Sequence, residues 1–312
     1  MSKTYKTVKV FAPASVANVA VGYDILGFPL CDLGDDVLVR QSDSAGLSIK
    51  TIHKNKGLSK DILKNTAGYS AHLVMESLGL SSLGVEMEIY KNMDIGTGLG
   101  SSAASAVAGA FAINEFLGKP YSKAELLPFV TQAEQLADGA YHADNVAPSL
   151  LGSIILIRDN KSLDWLKLPV PMGLRAVIVH PKIKVLTKES REILKAEIPL
   201  ELHTAQSANL ASFVASLYKT DFDLMKRSLE DLIIEPQRAS LIPGFYDLKS
   251  LAVDNGSLGC SISGAGPSIF ALCNNSLNAE NIHEAWSKYF TDRELEFDCF
   301  ISDINKEGAT AY

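Results

Sequence analysis

The spacing of hydrophobic residues in the first half of the chain predicts strands and helices in alternation. Strands are predicted over residues 8–12, 36–40, 47–52, 85–90 and 153–157, several with the period-two alternation of half-buried strands. Helical spacing covers residues 66–78, where Gly79 ends the pattern, and residues 101–117, an Ala-rich apolar segment. A capping box begins at Ser122 and predicts a third helix that extends to about residue 137.

The second half of the chain repeats the mixed pattern. A strand over residues 174–179 is followed by predicted helices over residues 187–195, 203–218, 221–229 and 245–254. A hairpin over residues 259–272, a helix over residues 279–290 and a strand over residues 297–301 complete an order close to a split βαβ arrangement. The sequence therefore predicts an α+β fold with two domains, residues 1–168 and 169–312, which meet near the Pro169-Val-Pro171 segment.

Composition narrows the functional classes. The chain has 312 residues, 47% hydrophobic and 21% charged, as expected for a soluble globular protein. A formal net charge of −7 without a basic run argues against nucleic acid as a partner, because that binding depends on phosphate neutralisation. The chain lacks an apolar stretch long enough to cross a membrane and a signal-peptide pattern, so we expect a cytoplasmic protein with no membrane partner.

Three glycines separate the predicted strand at residues 85–90 from the helix that begins at Ser101. They lie in the sequence Gly96-Thr-Gly-Leu-Gly-Ser-Ser102, and glycines allow a backbone to turn tightly and approach a ligand closely. The first N–H groups of such a helix point back into the turn, where they bind anions, phosphate above all. A Walker A loop needs a lysine after its glycines, and a dinucleotide fingerprint needs its third glycine one residue later. Two interpretations of the motif stay open: a phosphate site of another class, which the hydroxyls of Ser101 and Ser102 favour, and a plain strand-to-helix turn.

This glycine motif closely resembles the phosphate loop of the GHMP small-molecule kinases. Two other motifs of that family occur in the family order, over residues 12–24 (APASVANVAVGYD) and residues 261–268 (SISGAGPS). The three motifs span most of the chain. The resemblance implies an N-terminal domain like ribosomal protein S5 domain 2 and a ferredoxin-like C-terminal domain. It also implies ATP and Mg²⁺ as cofactors and a homodimer.

Three segments are similar to the branch of that family that phosphorylates L-homoserine. They are residues 25–28 (ILGF), which continue the first motif, residues 142–148 (HADNVAP) and residues 234–244 (IEPQRASLIPG). The resemblance implies phosphoryl transfer from ATP to the L-homoserine hydroxyl, which makes O-phospho-L-homoserine for threonine biosynthesis. Two alternatives stay open: another kinase of the family, such as a mevalonate-type enzyme, and a non-catalytic ligand-binding protein on the same fold.

The resemblance also implies roles for individual residues. For ATP it implies Asn65 and the loop residues Asp94, Ile95, Gly96, Thr97, Gly98, Leu99, Gly100, Ser101, Ser102, Ala103 and Ala104. For the carboxylate and ammonium groups of the substrate it implies Asn18, Asp24, His142, Arg191 and Arg238. For the reacting hydroxyl it implies the catalytic residues Asp144 and Asn145, and for Mg²⁺, which prefers oxygen ligands, Ser102 and Glu134.

One position departs from the family pattern. Asp94 stands at the start of the glycine loop, where many relatives carry proline. A carboxylate that faced a polyphosphate would repel it, because like charges interact unfavourably in a partly desolvated site. We therefore expect the Asp94 side chain to face solvent.

Overall fold

A sheet and its covering helices form the first half of the chain. The computed structural model describes residues 6–54, 57–139 and 141–312. The chain begins with β1 (Thr7–Ala17), β2 (Leu26–Gln41), β3 (Leu47–His53), α1 (Thr66–Ser77) and β4 (Val85–Tyr90). It continues with α2 (Ser101–Phe116), α3 (Lys123–Asp138), α4 (Val146–Leu151), β5 (Ile154–Asp159) and β6 (Asp164–Leu168).

The strand order of the first sheet is β11-β1-β2-β4-β3, and β5 pairs with β2 and with β6; β11 is Thr310–Ala311. The β3–β4 pair is parallel and the other pairs are antiparallel. Strand β4 buries Val85, Met87 and Ile89 on one face, as the period-two pattern predicts. Because β4 ends at Tyr90, the chain enters the glycine loop from the end of an inner strand of this sheet.

Helix α2 lies in the core, and nearly all of its residues are buried. Its alanines leave little side-chain bulk, so α1 can approach its backbone closely. A Cβ atom added to Gly109 of α2 would lie 2.1 Å from the carbonyl oxygen of Ala67 in α1, which only glycine avoids. This packing fixes α2 beneath the glycine loop at its N-terminus.

The second half of the chain forms a four-stranded antiparallel sheet. Its strands are β7 (Arg175–Pro181), β8 (Gly259–Ile262), β9 (Ile269–Cys273) and β10 (Phe297–Asp303), in the order β10-β7-β9-β8. Its helices are α5 (Thr187–Glu192), α6 (Leu200–Lys219), α7 (Phe222–Ser228), α8 (Glu235–Arg238), α9 (Phe245–Asp254) and α10 (Ser276–Thr291). This strand order is that of the split βαβ arrangement, and the prediction of an α+β fold is confirmed.

Several short elements are absent from the sequence-based prediction, because they have too few residues to show a period: β6, β11, α4 and α8. The first part of β2, residues 26–35, is also absent from it, because two glycines and a proline interrupt the strand pattern there. Strand β11 returns to the first sheet, where Ala311 pairs with Val10. We propose that the two domains divide between residues 168 and 169, since β6 ends at Leu168 and the second sheet begins at Arg175. Within the described ranges, none of the helices has the length and apolar composition needed to cross a membrane.

Candidate active site

A cavity of about 630 Å³ lies between the glycine loop and the second half of the chain. Most residues implied by the resemblance line it: Asn18, Asp24, Asn65, Ile95, Gly96, Thr97, Gly98, Gly100, Ser101, Ser102, Glu134, His142, Asp144, Asn145, Arg191 and Arg238. Leu99, Ala103 and Ala104 do not line it, because their side chains are buried in the core. The fold thus brings residues of distant segments to one cavity.

The glycine loop is held against the last of the three motifs. Gly96, Gly98 and Gly100 all have positive φ angles, of 76°, 77° and 63°, which glycine adopts without steric cost. The carbonyl oxygen of Gly98 accepts a hydrogen bond of 2.7 Å from Ser263 Oγ. A Cβ atom on Gly98 would lie 2.5 Å from the Ser263 carbonyl oxygen, so no larger residue fits without a backbone shift.

The N-terminus of α2 opens into the cavity. No side chain caps it, and its first turn contains no acidic residue. Ser101 lines the cavity there, and its buried Oγ has no hydrogen-bond partner among the described residues. Unpaired N–H groups and the positive end of the helix dipole attract an anion, and a buried hydroxyl adds a donor. This end of α2 is therefore suited to a phosphate group.

A buried ion pair supports the same turn, and sequence reasoning missed it. Asp35 and Lys91 are only 0% and 2% exposed, and Lys91 Nζ donates to Asp35 Oδ2. Lys91 also donates to the Ser101 carbonyl oxygen at 2.6 Å and to Ser105 Oγ at 2.9 Å. The sequence carries no signal for this pair, because Lys91 lies five residues before the first glycine of the loop, whereas the lysine of a Walker A loop follows the glycines. The pair connects β2, the end of β4 and the first turn of α2.

Ser102 and Glu134 form a polar pair on the wall of the cavity. Ser102 Oγ donates a hydrogen bond of 2.6 Å to Glu134 Oε1, which joins α2 to α3. Glu134 is largely buried and lines the cavity with Ser102. Hydroxyl and carboxylate oxygens are ligands that Mg²⁺ accepts. The donor set therefore fits that cation.

The loop after β1 has an unusual backbone. Asn18, Val19 and Ala20 have φ angles of 70°, 44° and 59°, a backbone conformation that residues other than glycine rarely adopt. The Asn18 side chain holds this loop from both sides. Its Oδ1 accepts from the Asp24 backbone N–H at 3.1 Å, and its Nδ2 donates to the Gly264 carbonyl oxygen at 3.0 Å. The first and last motifs are joined by this amide.

Asp24 faces a basic group across the cavity. Arg191 Nη1 donates to Asp24 Oδ2 at 3.0 Å, and Arg191 Nη2 donates to Asp24 Oδ1 at 3.1 Å. The pairing is bidentate, the strongest geometry for a guanidinium and a carboxylate. His142 Nε2 lies 3.5 Å from Asp24 Oδ2. The residues that the resemblance assigns to opposite charges of a substrate are thus paired with each other.

Arg238 is held by hydrogen bonds to the backbone. Its Nε donates to the Ser190 carbonyl oxygen at 2.9 Å, and its Nη1 donates to the Gly264 carbonyl oxygen at 2.9 Å. Its guanidinium lies over the Tyr23 ring, 5.1 Å from the centroid. Burial lowers the pKa of Arg238 from its ordinary value and raises the pKa of Tyr23. A guanidinium buried at the cavity wall is a candidate anion-binding group.

Asp144 and Asn145 lie directly before α4, and both line the cavity. Asn145 Oδ1 accepts a hydrogen bond of 2.9 Å from Ser15 Oγ. A Cβ atom on Gly100 would lie 2.7 Å from Asn145 Oδ1, so the glycine loop and Asn145 are in close contact. Asp144 is largely buried and also lines the cavity. The pair therefore lies next to the turn that is suited to phosphate.

Asp94 does not line the main cavity. Its Oδ2 lies 3.0 Å from Lys182 Nζ, and the carboxylate is about one-third exposed. It lines a separate cavity of about 450 Å³ with His180, whose Nδ1 lies 3.1 Å from Ser268 Oγ. Burial, with a smaller effect of Lys182, lowers the pKa of His180 to about 4. Because Asp94 is paired with Lys182 outside the main cavity, its carboxylate should repel a bound polyphosphate less than an unpaired carboxylate would.

Comparisons with known proteins agree with these motifs. Profiles described as "GHMP kinases N terminal domain" and "GHMP kinases C terminal" match residues 65–153 and 213–292. The homoserine kinases of Chlorobium phaeobacteroides and Chloroherpeton thalassium are both 42% identical, over 97% of this chain and 99% of theirs. The crystal structure of homoserine kinase from Cytophaga hutchinsonii superposes with a TM-score of 0.96 at 46% identity, over 100% of this chain and 99% of that chain. The chain therefore belongs to the GHMP kinase family.

Proposed function

We propose that the protein is an ATP- and Mg²⁺-dependent homoserine kinase, which converts L-homoserine to O-phospho-L-homoserine in threonine biosynthesis. The observation that carries this proposal is the shared cavity: the open N-terminus of α2 lines it together with Asp24, Arg191 and Arg238. A phosphate site and a site for an amino-acid head group in one cavity suit a kinase of a small amino acid. The relatives named homoserine kinase, at 42% identity, support the same substrate.

The triphosphate of ATP would bind along the glycine loop. The N–H groups at the start of α2 and the Ser101 hydroxyl would donate to it. Lys184 and Lys188, two exposed residues that line the cavity, would add positive charge on the other side. Asn65 would lie near the base; its side chain caps α1 by accepting from Gly68 N at 3.1 Å. Phosphoryl transfer depends mainly on such positioning and charge neutralisation.

Ser102 and Glu134 would hold Mg²⁺. The cation, when bound, neutralises charge that develops on the phosphate oxygens. Among the described residues there is no group of three or more His, Cys, Asp or Glu side chains that could hold a metal. The phosphates and water would therefore supply the remaining ligands, as is usual for Mg²⁺ in kinases.

The head group of L-homoserine would bind among Asp24, Arg191 and Arg238. Arg238 and Arg191 would donate to the α-carboxylate, because a planar guanidinium matches two carboxylate oxygens. Asp24, with Asn18 and His142 beside it, would accept from the α-ammonium. Mevalonate has a carboxylate but no ammonium, so the acidic Asp24 and Asp144 disfavour it.

Asn145 and Asp144 would orient the terminal hydroxyl toward the γ-phosphorus. The hydroxyl oxygen forms a bond to phosphorus while the bond from phosphorus to the β–γ bridging oxygen breaks. An amide cannot take up the hydroxyl proton, so the role of Asn145 is orientation, while the Asp144 carboxylate can accept a hydrogen bond from the hydroxyl. In a loose transition state the hydroxyl proton leaves late, to an oxygen of the transferred phosphoryl group or to water, so no strong base is required at this step.

A coupled ADP-release assay tests the proposal. We expect turnover with L-homoserine and none above background with mevalonate or galactose. Turnover of mevalonate instead would contradict the substrate, and ATP binding without turnover of any alcohol would favour a non-catalytic protein. We further propose a cytoplasmic homodimer, which light scattering coupled to gel filtration would test as a doubling of the 33.6 kDa mass of the chain.

A further inference from the structure

Two opposite charges close on each other in the part of the cavity proposed for the substrate. The Asp24 carboxylate and the Arg191 guanidinium make two parallel hydrogen bonds of 3.0 and 3.1 Å. Their side chains are only 17% and 30% exposed, and both line the cavity. A ligand charge that takes the bidentate face of either group must therefore displace the other.

We propose that the Asp24–Arg191 pair is a charge gate that selects ligands carrying both an anion and a cation on neighbouring atoms. This inference rests on the proposed function, since it concerns how that substrate enters. A ligand with a carboxylate and an ammonium replaces one ion pair by two. A ligand with one charge takes one member of the pair and leaves the other without its bidentate partner in a partly buried site, which is costly.

Asp24 is the fixed member of the pair. Its backbone N–H donates to Asn18 Oδ1 at 3.1 Å, and its carbonyl oxygen accepts from Asn160 Nδ2 at 3.1 Å. Arg191 lies on α5, a six-residue helix in which Lys188, Glu189 and Glu192 are exposed. Opening the gate by movement of the guanidinium therefore disturbs less packing than movement of the aspartate.

The neighbours of the pair do not take over its two parallel hydrogen bonds. Arg238 already donates to two backbone carbonyl oxygens and stacks on Tyr23, so it remains in place when the gate opens. Tyr23 OH accepts from Arg191 Nη1 at 3.0 Å, but it is neutral. His142 Nε2, 3.5 Å from Asp24 Oδ2, lies beyond good hydrogen-bond distance. Selectivity for doubly charged ligands therefore depends on Asp24 and Arg191 together.

Binding calorimetry with three ligands tests the gate. L-Homoserine carries both charges, 4-hydroxybutanoate carries only the carboxylate, and 3-aminopropan-1-ol carries only the ammonium. We expect the unaltered protein to bind L-homoserine at least roughly tenfold more tightly than either truncated ligand. Asp24→Asn removes the partner of Arg191, so 4-hydroxybutanoate should bind roughly tenfold more tightly than to the unaltered protein, while L-homoserine binds more weakly.

The converse variant gives an independent measurement. Arg191→Gln removes the partner of Asp24, so 3-aminopropan-1-ol should gain affinity while 4-hydroxybutanoate does not. A pair that only stabilises the fold would instead weaken all three ligands together. Asp164→Asn, which breaks the exposed Arg158–Asp164 pair outside the cavity, is the matched control and should leave all affinities unchanged.

The outcomes separate the gate from the proposed function. If the protein phosphorylates L-homoserine but neither variant gains affinity for its single-charge ligand, the gate is wrong and the function stands. If the protein neither binds nor phosphorylates L-homoserine, both are wrong. Circular dichroism checks that each variant is folded, and if only one variant folds, its single-charge ligand decides the result.

Discussion

The Ser102 hydroxyl donates a hydrogen bond of 2.6 Å to the Glu134 carboxylate, although 32 residues separate them in the chain. Ser102 is the second residue of α2, directly after the glycine loop, and Glu134 lies in α3. Because both line the main cavity, the contact places a carboxylate next to the turn that is suited to phosphate. The metal role proposed for the pair follows from this position.

Glu134→Gln should weaken the use of Mg²⁺. The amide keeps the shape and can still bond to Ser102, but it removes the negative charge that attracts the cation. We expect the Mg²⁺ concentration for half-maximal activity to rise, with activity at fixed Mg²⁺ lower on the order of 10–100-fold. Titration of Mg²⁺ in the ADP-release assay measures this. Glu115→Gln, which removes a carboxylate outside the main cavity, is the control, and an equal effect in both variants would contradict the role.

Asn145→Ala should lower kcat more than it raises the KM for ATP. The Asn145 side chain contacts Ser15 and the glycine loop, and the proposed mechanism uses it to orient the reacting hydroxyl. Steady-state kinetics with both substrates varied measure the two constants. An unchanged kcat with only a weaker KM for ATP would show that Asn145 supports the nucleotide rather than the hydroxyl.

Gly98→Ala should cost more stability than Gly79→Ala. Both glycines have positive φ angles, of 77° and 69°, so alanine pays a left-handed backbone cost of about 1–2 kcal/mol at either site. Gly79 has open space around a new Cβ, whereas at Gly98 it would lie 2.5 Å from a backbone oxygen. Overpacking of this kind adds roughly 1–3 kcal/mol.

Denaturant unfolding of the two glycine variants gives the difference in the free energy of unfolding. The KM for ATP should rise only in Gly98→Ala, because only Gly98 shapes the phosphate loop. Equal stability losses in the two variants would mean that the backbone at Ser263 shifts to accommodate the new methyl group without cost.

Local patterns were enough to predict most of the fold. The strand at Val85–Tyr90 and the helix at Phe245–Asp254 have the bounds that their hydrophobic spacing predicts. The four-residue helix at Glu235–Arg238 was missed, because it is one turn long and contains Pro236. The hairpin around Gly264 was predicted, but its contact with Gly98 was not, since 165 residues separate Ser263 from Gly98.

The candidate site was predicted as a set of residues but not as an arrangement. The resemblance to known motifs named Asp24 and Arg191, yet nothing in the sequence indicated that they pair with each other. Asp35 and Lys91 were missed because a buried ion pair has no period or spacing of its own. Asp94 was expected to face solvent; its contact with Lys182 joins segments 88 residues apart.

Lys91→Met should destabilise the protein strongly. Removing one member of a buried ion pair leaves an uncompensated charge, which costs about 3–5 kcal/mol. Asp35 would keep hydrogen bonds from Asn92 N at 3.1 Å and Ser105 Oγ at 2.6 Å, but not its cation. The double variant with Asp35→Asn should therefore be more stable than Lys91→Met alone.

Chemical denaturation measures both variants of the buried pair. Lys288→Met, which breaks an exposed i,i+4 pair with Asp292, is the control and should cost less than about 1 kcal/mol. Additive losses in the double variant would contradict a coupled pair.

The stability of the protein should depend on pH through His180. Burial lowers the pKa of its imidazole from 6.5 in the unfolded chain to about 4 in the folded protein. Above pH 6.5 both states are neutral and the group has no effect. As the pH falls from 6.5 to about 4, only the unfolded chain takes up the proton, so the folded state loses stability, roughly 3 kcal/mol in total.

His180→Gln should remove this part of the acid destabilisation. Other groups titrate in the same window, so the quantity to compare is the difference between the unaltered protein and the variant, measured by denaturant unfolding at pH 7.5 and at about pH 4.5. As the pH falls, the variant should lose less free energy of unfolding than the unaltered protein. His203→Gln, at an exposed position, controls for the substitution itself. A difference that stays constant across the window would mean that His180 is protonated in the folded state despite its burial.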